Sequence, residues 1–439
     1  MLILSGVFHS AERNPEKICM TFNEKNITYG ELIKSINERA AFLTQKYELG
    51  SKIIIKNEDP INAIINFLAC CRGGLISIPV YAKVSSSKLE KIKLKVKQSS
   101  ILDNSFSFKE CNKKDLKLPH IDDTCIFLGA LSSGTTGHNK IIWRDHTSWA
   151  SAFEYQSKIF NISSEDILFI VGSLSYTGNL NSVIHILNEG GSIVFSKSIY
   201  PDRWVEEMKK NNVTSIFMVP ARYRILLKKL KGELTGIKSV LSAGDKLDFK
   251  TVNLLKKRFP NASICEYYGA SELGHVTYIN FRENNSVDSV GKAFPQVKLW
   301  IEDDEVWVKS PYLAPDFRPM ASVKDMGRID EDGNLYILGR KNNTINKGGV
   351  KILPYDIEKI LNSHPDILES VVYGEKHPIK GEEISALVVP KTDKLTVEDI
   401  RRYCKNNLEL YMQPRKIKIV KDLKLNSSGK IDRKSINNI

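Results

Sequence analysis

Long apolar runs, clustered cysteines and acidic residues are all in short supply in this sequence. No apolar run approaches the ~20 residues that a membrane span needs. The best candidate, Ile61 to Cys71, is too short and carries Asn62 and Asn66, so no membrane-spanning segment is expected. The apolar start Met1 to Phe8 is short and no Lys or Arg precedes it, so it is not expected to act as a signal peptide. The seven cysteines are scattered, with only Cys70 and Cys71 adjacent. Without a CxxC pair or a metal-ligand cluster, the expectation is reduced thiols and a cytoplasmic protein. Acidic residues number 51 against 64 basic ones, a net charge of +13. That excess suits an anionic partner (a nucleotide, a phosphate-bearing coenzyme, an acidic carrier protein, nucleic acid) or is a lysine-rich background. The densest basic stretch, Lys83, Lys88, Lys91, Lys93, Lys95 and Lys97, alternates with Leu89, Ile92, Leu94 and Val96. It reads as an amphipathic surface segment. No zinc finger, RRM signature or aromatic–basic interleaving accompanies it, so no nucleic-acid partner is expected.

What is present is an ordinary globular balance. With 439 residues, 42% hydrophobic and 26% charged, the chain has material for two or three domains at roughly 100–200 residues each. Residues 27–43 put apolar side chains at helical spacing after a β-prone start. Lys52 to Lys56 is a β-branched run, and Leu75 to Val80 follows the break at Gly73-Gly74. Further strands are expected at Cys125 to Leu128, Ile167 to Val171, Ser192 to Phe195, Ser215 to Val219, Ser239 to Ser242 and Ile264 to Glu266. Helical patterns such as Asp202 to Lys210 and Lys250 to Arg258 lie between them. This alternation predicts an α/β architecture with largely parallel sheet. After about residue 290 the segments are shorter and hairpin-like, as in Val297 to Ile301 and Glu305 to Val308. A domain boundary is expected near Lys341, dividing the chain into 1–340 and 341–439.

Chemistry concentrates in Leu131 to Lys140, LSSGTTGHNK. Gly134 and Gly137 let backbone N–H groups approach an anion. Ser132, Ser133, Thr135 and Thr136 add hydroxyl donors, and Lys140 adds charge. On these residues alone the segment is a phosphate-handling loop or a flexible surface turn. It is not a Walker A loop, because Gly137 is followed by His138-Asn139-Lys140-Ile141 and not by Lys-[Ser/Thr].

SSGTTGHNK resembles the [ST]-S-G-[ST]-T-G-x-P-K loop of the adenylate-forming superfamily. That superfamily comprises acyl-CoA synthetases, the adenylation domains of nonribosomal peptide synthetases and firefly-type luciferases. Further segments resemble its motifs in the same order. Tyr268-Gly269-Ala270-Ser271-Glu272 is similar to Y-G-x-T-E, which implies Tyr268 packed on adenine, Ser271 at the α-phosphate, and Glu272 holding Mg²⁺ together with Thr136. The physical basis is sound: a tyrosine face stacks a base, and a carboxylate suits Mg²⁺ beside phosphates. Ser242 to Leu247, with Gly244, resembles the small-residue segment bordering adenine and acyl group. Val323 to Gly327 resembles T-G-D-x-G, with Lys324 at the glycine position and Asp325 as the implied ribose ligand. Gly339-Arg340 resembles the G-R that ends the large domain, with Arg340 near the ribose. Asn346 to Glu358 resembles the first motif of a mobile small domain, and Asn426 to Arg433 resembles x-x-S-G-K-x-x-R, whose lysine, here Lys430, is catalytic. The resemblance covers nearly the whole chain, with a trimmed N-terminal part, and is nearest to short bacterial acyl-CoA synthetases of the fatty-acid–CoA ligase type. It implies a large N-terminal domain of packed mixed sheets with helices plus a small mobile α+β domain.

The implied reaction is attack of a carboxylate on the α-phosphate of ATP, giving an acyl-adenylate and pyrophosphate. Capture by a thiol follows, from coenzyme A or, alternatively, from the phosphopantetheine of a carrier protein. The resemblance also implies a hinge at Asn342 and a thiol path lined by Gly348 and Gly349. His138-Asn139, Ile141 and Ser271 depart from the pattern, but none removes a charged or metal-binding group, so an active enzyme is expected. Between Gly172 and His185 there is no carboxylate to pair with a substrate ammonium. A buried unpaired ammonium is costly, which disfavours an α-amino acid. A fatty or other apolar acid is expected, with an aromatic acid as the alternative. Tyr176, Val219, Ala243 and Tyr267 are candidate wall residues or plain core.

Overall fold

In the computed structural model, which describes residues 2–108, 118–132, 140–284, 286–377 and 381–423, strand–helix alternation builds a nine-stranded mixed sheet. Its strands run in the order Lys292–Ala293, Gly274–Asn280, Ser263–Ala270, Ser239–Ala243, Ser215–Met218, Ile167–Val171, Ser192–Ser196, Ile18–Phe22 and Lys25–Thr28. The five from Ser263–Ala270 to Ser192–Ser196 are parallel to one another. Their sequences, such as ILFIV and SVLSA, are almost continuously apolar or small and buried on both faces, as a parallel sheet covered by helices requires. The helices Pro201–Lys210, Pro220–Lys229 and Phe249–Arg258 cover one face. Two start with proline in the first turn, and Asp248 caps the third by accepting from Thr251 N. Each buries one stripe, including Trp204, Tyr223, Leu226 and Leu255, against Phe169, Ile216, Val240 and Ile264. Fully burying a side chain of this size contributes about 1.5–3 kcal/mol.

A second sheet of five strands runs Ser99–Asp103, Lys52–Lys56, Ile76–Pro79, Ile126–Ser132 and Lys140–Asp145. The last two form an antiparallel hairpin on an otherwise parallel sheet. The apolar stretch Ile61 to Cys71 lies in the buried helix Pro60–Arg72, and among the described residues no helix is long and apolar enough to cross a membrane. The basic stretch forms the helix Ser86–Val96, with Ile92 and Val96 buried and Leu94 exposed.

The chain divides into two compact units, Met1–Lys298 with Val308–Ala321, and Leu299–Trp307 with Ser322–Ile439. The smaller holds a four-stranded sheet ending in Asp325–Ile329 and Leu335–Arg340, and a five-stranded sheet around the hairpin Ile367–His377 and Gly381–Pro390. The helices Pro354–Asn362 and Val397–Asn407 close a core of Ile357, Leu361, Val372, Ile384 and Ile400. This is the expected class, α/β with a large unit of mixed sheets and helices and a small α+β unit. The strand expected at Ile264 to Glu266 runs on through Ala270 and returns as Gly274–Asn280. The β-branched and aromatic run Val276, Thr277, Tyr278, Ile279 was the available signal for that return strand.

Candidate active site

The glycine- and hydroxyl-rich loop is the connection of a hairpin. Ser132 pairs with Lys140 across it, so the implied phosphate-binding segment leaves and re-enters one pair of strands. Ser133, Gly134, Thr135, Thr136 and Gly137 lie outside the described residues. The returning strand carries a residue that sequence reasoning missed. Arg144 is fully buried, and its guanidinium donates to the carbonyls of Ser271 (3.0 Å), Ser148 (2.8 Å) and Tyr312 (2.8 Å). Burial pulls its pKa down to about 9, against the opposing pull of Asp145 and Glu272, so it is still a cation at neutral pH. Asp145 in turn pairs with Arg318 at 2.8 Å. Arg144 thereby fixes the turn that contains Ser271 and Glu272 to the strand leading out of the loop.

Tyr268, Gly269, Ser271 and Glu272 lie at the C-terminal end of Ser263–Ala270 and in the turn that follows it. Gly244 follows the neighbouring parallel strand, in which Ala243 is level with Tyr267. Two motifs some twenty residues apart in sequence thus converge on the carboxyl edge of a parallel sheet, where ligands of open α/β folds bind. Gly244 has φ +92°, a conformation that favours glycine. A buried ion pair holds the convergence. Lys246 Nζ bonds the carboxylate of Glu266, which also accepts from the backbone N–H of Leu247 (2.6 Å). Burial raises the Glu266 pKa, and Lys246 works in the opposite direction. Glu266 was not singled out from sequence, because a glutamate inside a strand carries no motif. The Ser271 hydroxyl lies 3.3 Å from that of Thr177, and Glu272 is half-buried.

In the smaller unit, Asp325 and Arg340 face each other on paired strands, with Arg340 Nε donating to Asp325 Oδ1 at 2.9 Å. The two residues that the resemblance assigns to the ribose are therefore brought together. Lys324, at the position of the pattern's glycine, has φ +65°, the left-handed conformation glycine adopts freely. Gly348 and Gly349, with φ +61° and +88°, form the two-residue turn between Ile345–Lys347 and Val350–Ile352, as a hairpin with two left-handed positions requires. Lys430 and the side chain of Asn342 lie outside the described residues.

Four residues were expected to wall the acid. Val219 and Ala243 are buried core. Tyr176 and Tyr267 are half-buried and, with Phe217, form an aromatic group. The Tyr267 and Phe217 rings stack at 6.3 Å, and a Cβ on Gly178 would meet both Tyr176 and Phe217. Behind Tyr267 lie His275, ring centroids 4.6 Å apart, and a cavity the size of about one water molecule lined by Gln156, Asn181, Ser182 and His185. Burial lowers the pKa of both His185 and His275 to about 3, so both are neutral at pH 7. Neither they nor the half-buried Arg222, whose guanidinium lies against Gly172, was picked out from sequence. Cys19, Cys70 and Cys265 are unpaired and buried, which pushes each thiol up to about 12. They are inert toward this chemistry.

Residues 7–128 and 91–314 match the family model of the AMP-binding enzyme, and residues 356–430 match that of the AMP-binding enzyme C-terminal domain. Among curated proteins, "Putative long chain fatty acid-CoA ligase VraA" of Staphylococcus epidermidis is 28% identical over 453 residues, covering 99% of this chain and 98% of that protein. ATP-bound MatB from Rhodopseudomonas palustris has a similar structure, with a TM-score of 0.87 and 20% identity over 100% of this chain and 99% of that one. So does o-succinylbenzoate CoA synthetase (MenE) of Bacillus subtilis in complex with its acyl-adenylate intermediate, with a TM-score of 0.85 and 19% identity over 99% and 98% of the two chains. At such identities the structural likeness bears on fold alone.

Proposed function

The chain belongs to the AMP-binding enzyme family, and from that premise we propose that it is an AMP-forming acid–thiol ligase. The acid's carboxylate oxygen attacks the α-phosphorus of ATP, the bond to the bridging oxygen of the β-phosphate breaks, and pyrophosphate leaves. A thiolate, most simply that of coenzyme A, then attacks the acyl carbon of the adenylate and AMP departs. The observation that carries this reading is the convergence of Gly244, Tyr268, Ser271 and Glu272 on one sheet edge, held there by Arg144 and the Lys246–Glu266 pair.

In this reading Tyr268 stacks on adenine, Gly244 and Gly269 let the backbone approach the nucleotide, and the Ser271 hydroxyl donates to the α-phosphate. The loop from Ser132 to Lys140, with Ser133, Gly134, Thr135, Thr136 and Gly137, cradles the β- and γ-phosphates. Asp325 accepts from the ribose hydroxyls and Arg340 orients it through their shared hydrogen bond. Lys430 neutralises the charge that gathers as carboxylate and phosphate approach. Among the described residues no group of three or more His, Cys, Asp or Glu could cage a metal ion. One carboxylate beside substrate phosphates is nonetheless the donor set that Mg²⁺ commonly takes, and Glu272 with the Thr136 hydroxyl fits it. Bound there, the ion would neutralise phosphate charge. A hinge at Asn342, with the boundary at 341, would let the small domain exchange Lys430 for the thiol path past Gly348 and Gly349 between the two steps.

The fatty or other apolar acid expected from sequence is supported by the name of the Staphylococcus epidermidis relative. Pyrophosphate release from MgATP, measured across fatty, dicarboxylic, aryl and amino acids, tests the reading. Release that depends on one acid class and is lost in Lys430→Ala is the expected result, and stimulation by coenzyme A identifies the acceptor. No release with any acid overturns the reading. Transfer only to a carrier protein's phosphopantetheine would replace coenzyme A as acceptor.

A further inference from the structure

Arg222 is the third residue of the helix Pro220–Lys229, which follows the strand Ser215–Met218. That strand pairs in parallel with Ile167–Val171 on one side and Ser239–Ala243 on the other. Arg222 is therefore at the same carboxyl edge as Gly244 and Tyr268, two strands from Tyr268. Its guanidinium folds back on the loop after Ile167–Val171. A Cβ built on Gly172 would lie 2.7 Å from each terminal nitrogen, and Gly172 itself has φ +106°. The glycine makes the room that the guanidinium occupies. Among the described residues no hydrogen bond or ion pair to the guanidinium is present, and no charged neighbour offsets the burial that lowers its pKa.

A half-buried guanidinium with five donors and no acceptor among the described residues is open to an anionic acceptor from outside. The surroundings limit what that acceptor is. The loop beside Gly172 carries the hydroxyls of Ser173 and Ser175, hydrogen-bonded to each other at 2.8 Å. Further along the same segment Tyr176 and Phe217 lie against Gly178, Tyr267 stacks on Phe217, and the cavity beyond Tyr267 admits about one water molecule.

We propose that Arg222 binds a second carboxylate of the acid, so that the substrate is a short dicarboxylic acid in place of a long-chain fatty acid. The inference rests on the adenylation reading above. One carboxylate reacts at the α-phosphate. The other lies on the guanidinium, where planar bidentate contact is the geometry arginine favours. The acid's two anions then set its length and direction.

The test measures MgATP-dependent pyrophosphate release, without coenzyme A, using oxalate, malonate, succinate and glutarate against butyrate, hexanoate and palmitate. Wild type is compared with Arg222→Met and Arg222→Gln. For wild type, kcat/KM is expected to be about 100-fold higher for the best dicarboxylate than for any monocarboxylate. Arg222→Met should lose about 100-fold on that diacid, mainly through KM, as expected for removal of a buried charge-pair partner. The melting-temperature rise produced by MgATP alone should be the same in all three proteins, which separates lost acid binding from lost folding. Monocarboxylates turned over as well as dicarboxylates, or equal diacid kinetics in Arg222→Met, would overturn the proposal and leave the adenylation reading standing. Unchanged diacid kinetics in this assay, with a raised KM for coenzyme A in a parallel assay of acyl-CoA formation, would assign the anion to a coenzyme phosphate and also overturn it. No release with any acid would overturn the adenylation reading and the inference together.

Discussion

Two arginines of the larger unit, Arg144 and Arg222, border the candidate site on different terms. Arg144 spends its terminal donors on three backbone carbonyls, of Ser271, Ser148 and Tyr312. Arg222 has its guanidinium pressed on Gly172 and makes no bond to the described protein. Desolvation is the leading influence on both. Only for Arg144 does the fold itself supply compensation. A buried cation whose terminal nitrogens are bonded by its own chain is a positioning device, and one at a ligand-binding edge without an acceptor among the described residues is held ready for a ligand. The same contrast separates Glu266, whose carboxylate is bonded by Lys246 and Leu247 N–H, from Glu272, which has no such pair among the described residues and is half-exposed in the turn after its strand.

The contrast is broken most forcefully at Arg144. Arg144→Met leaves three carbonyls behind and releases the turn carrying Ser271 and Glu272. Urea unfolding should show a loss of about 3–5 kcal/mol, and a loss below about 1 kcal/mol would remove Arg144 from the role given to it. Lys246→Met is next, at about 2 kcal/mol, since the lysine is partly exposed and screened. Its signature is in the pH dependence. Burial holds the Glu266 pKa above its ordinary value, so the folded state keeps that proton to higher pH than the unfolded chain. Below the ordinary glutamate range both states are protonated and nothing is lost. As pH rises past that range the unfolded state ionises first, and stability falls until the folded pKa is passed. Removing Lys246 raises that pKa further, so the variant's deficit should be larger at pH 8 than at pH 5. A deficit that is flat or shrinks with pH would contradict the assignment. Gly172→Ala comes third. Its backbone at φ +106° disfavours any side chain, for about 1–3 kcal/mol. The new methyl must also displace the guanidinium, so diacid turnover should fall as it does in Arg222→Met. Full diacid activity in a folded Gly172→Ala protein would detach Arg222 from the substrate.

What could be read in the sequence and what could not follow the same division. Motifs act through backbone freedom or residue type within a few positions, so LSSGTTGHNK, YGASE and the SAGDKL segment were visible as letters. The parallel sheet was visible because its strands are short apolar runs between amphipathic helices. Lys324 shows how much of a motif is conformational, since it keeps the glycine's φ while replacing the glycine. The residues that hold these motifs in place act across the fold. Arg144 reaches Ser271 and Tyr312, Lys246 reaches Glu266, and Arg222 reaches Gly172, and no local pattern joins such partners. The strand Gly274–Asn280 went unread for a related reason, because its pairing with Ser263–Ala270 begins inside a motif that reads as a loop.

The smallest expected effect discriminates best between the two arginines. Arg222→Met removes a charge that the folded protein does not compensate and substitutes a flexible apolar chain that fits the same aliphatic path. Without ligand, its unfolding free energy should be unchanged or up to about 1 kcal/mol higher, because the desolvation cost of the guanidinium disappears and no hydrogen bond to the described residues goes with it. With MgATP and the preferred diacid present, the order should reverse, since ligand binding stabilises the folded state in proportion to occupancy and the variant binds the acid poorly. A stability gain without ligand and a deficit with it cannot come from a purely structural arginine, whose removal costs the same in both conditions. If ligand-free Arg222→Met instead loses more than about 1 kcal/mol, as Arg144→Met does on a larger scale, then Arg222 has a partner within the chain and the two arginines are of one kind.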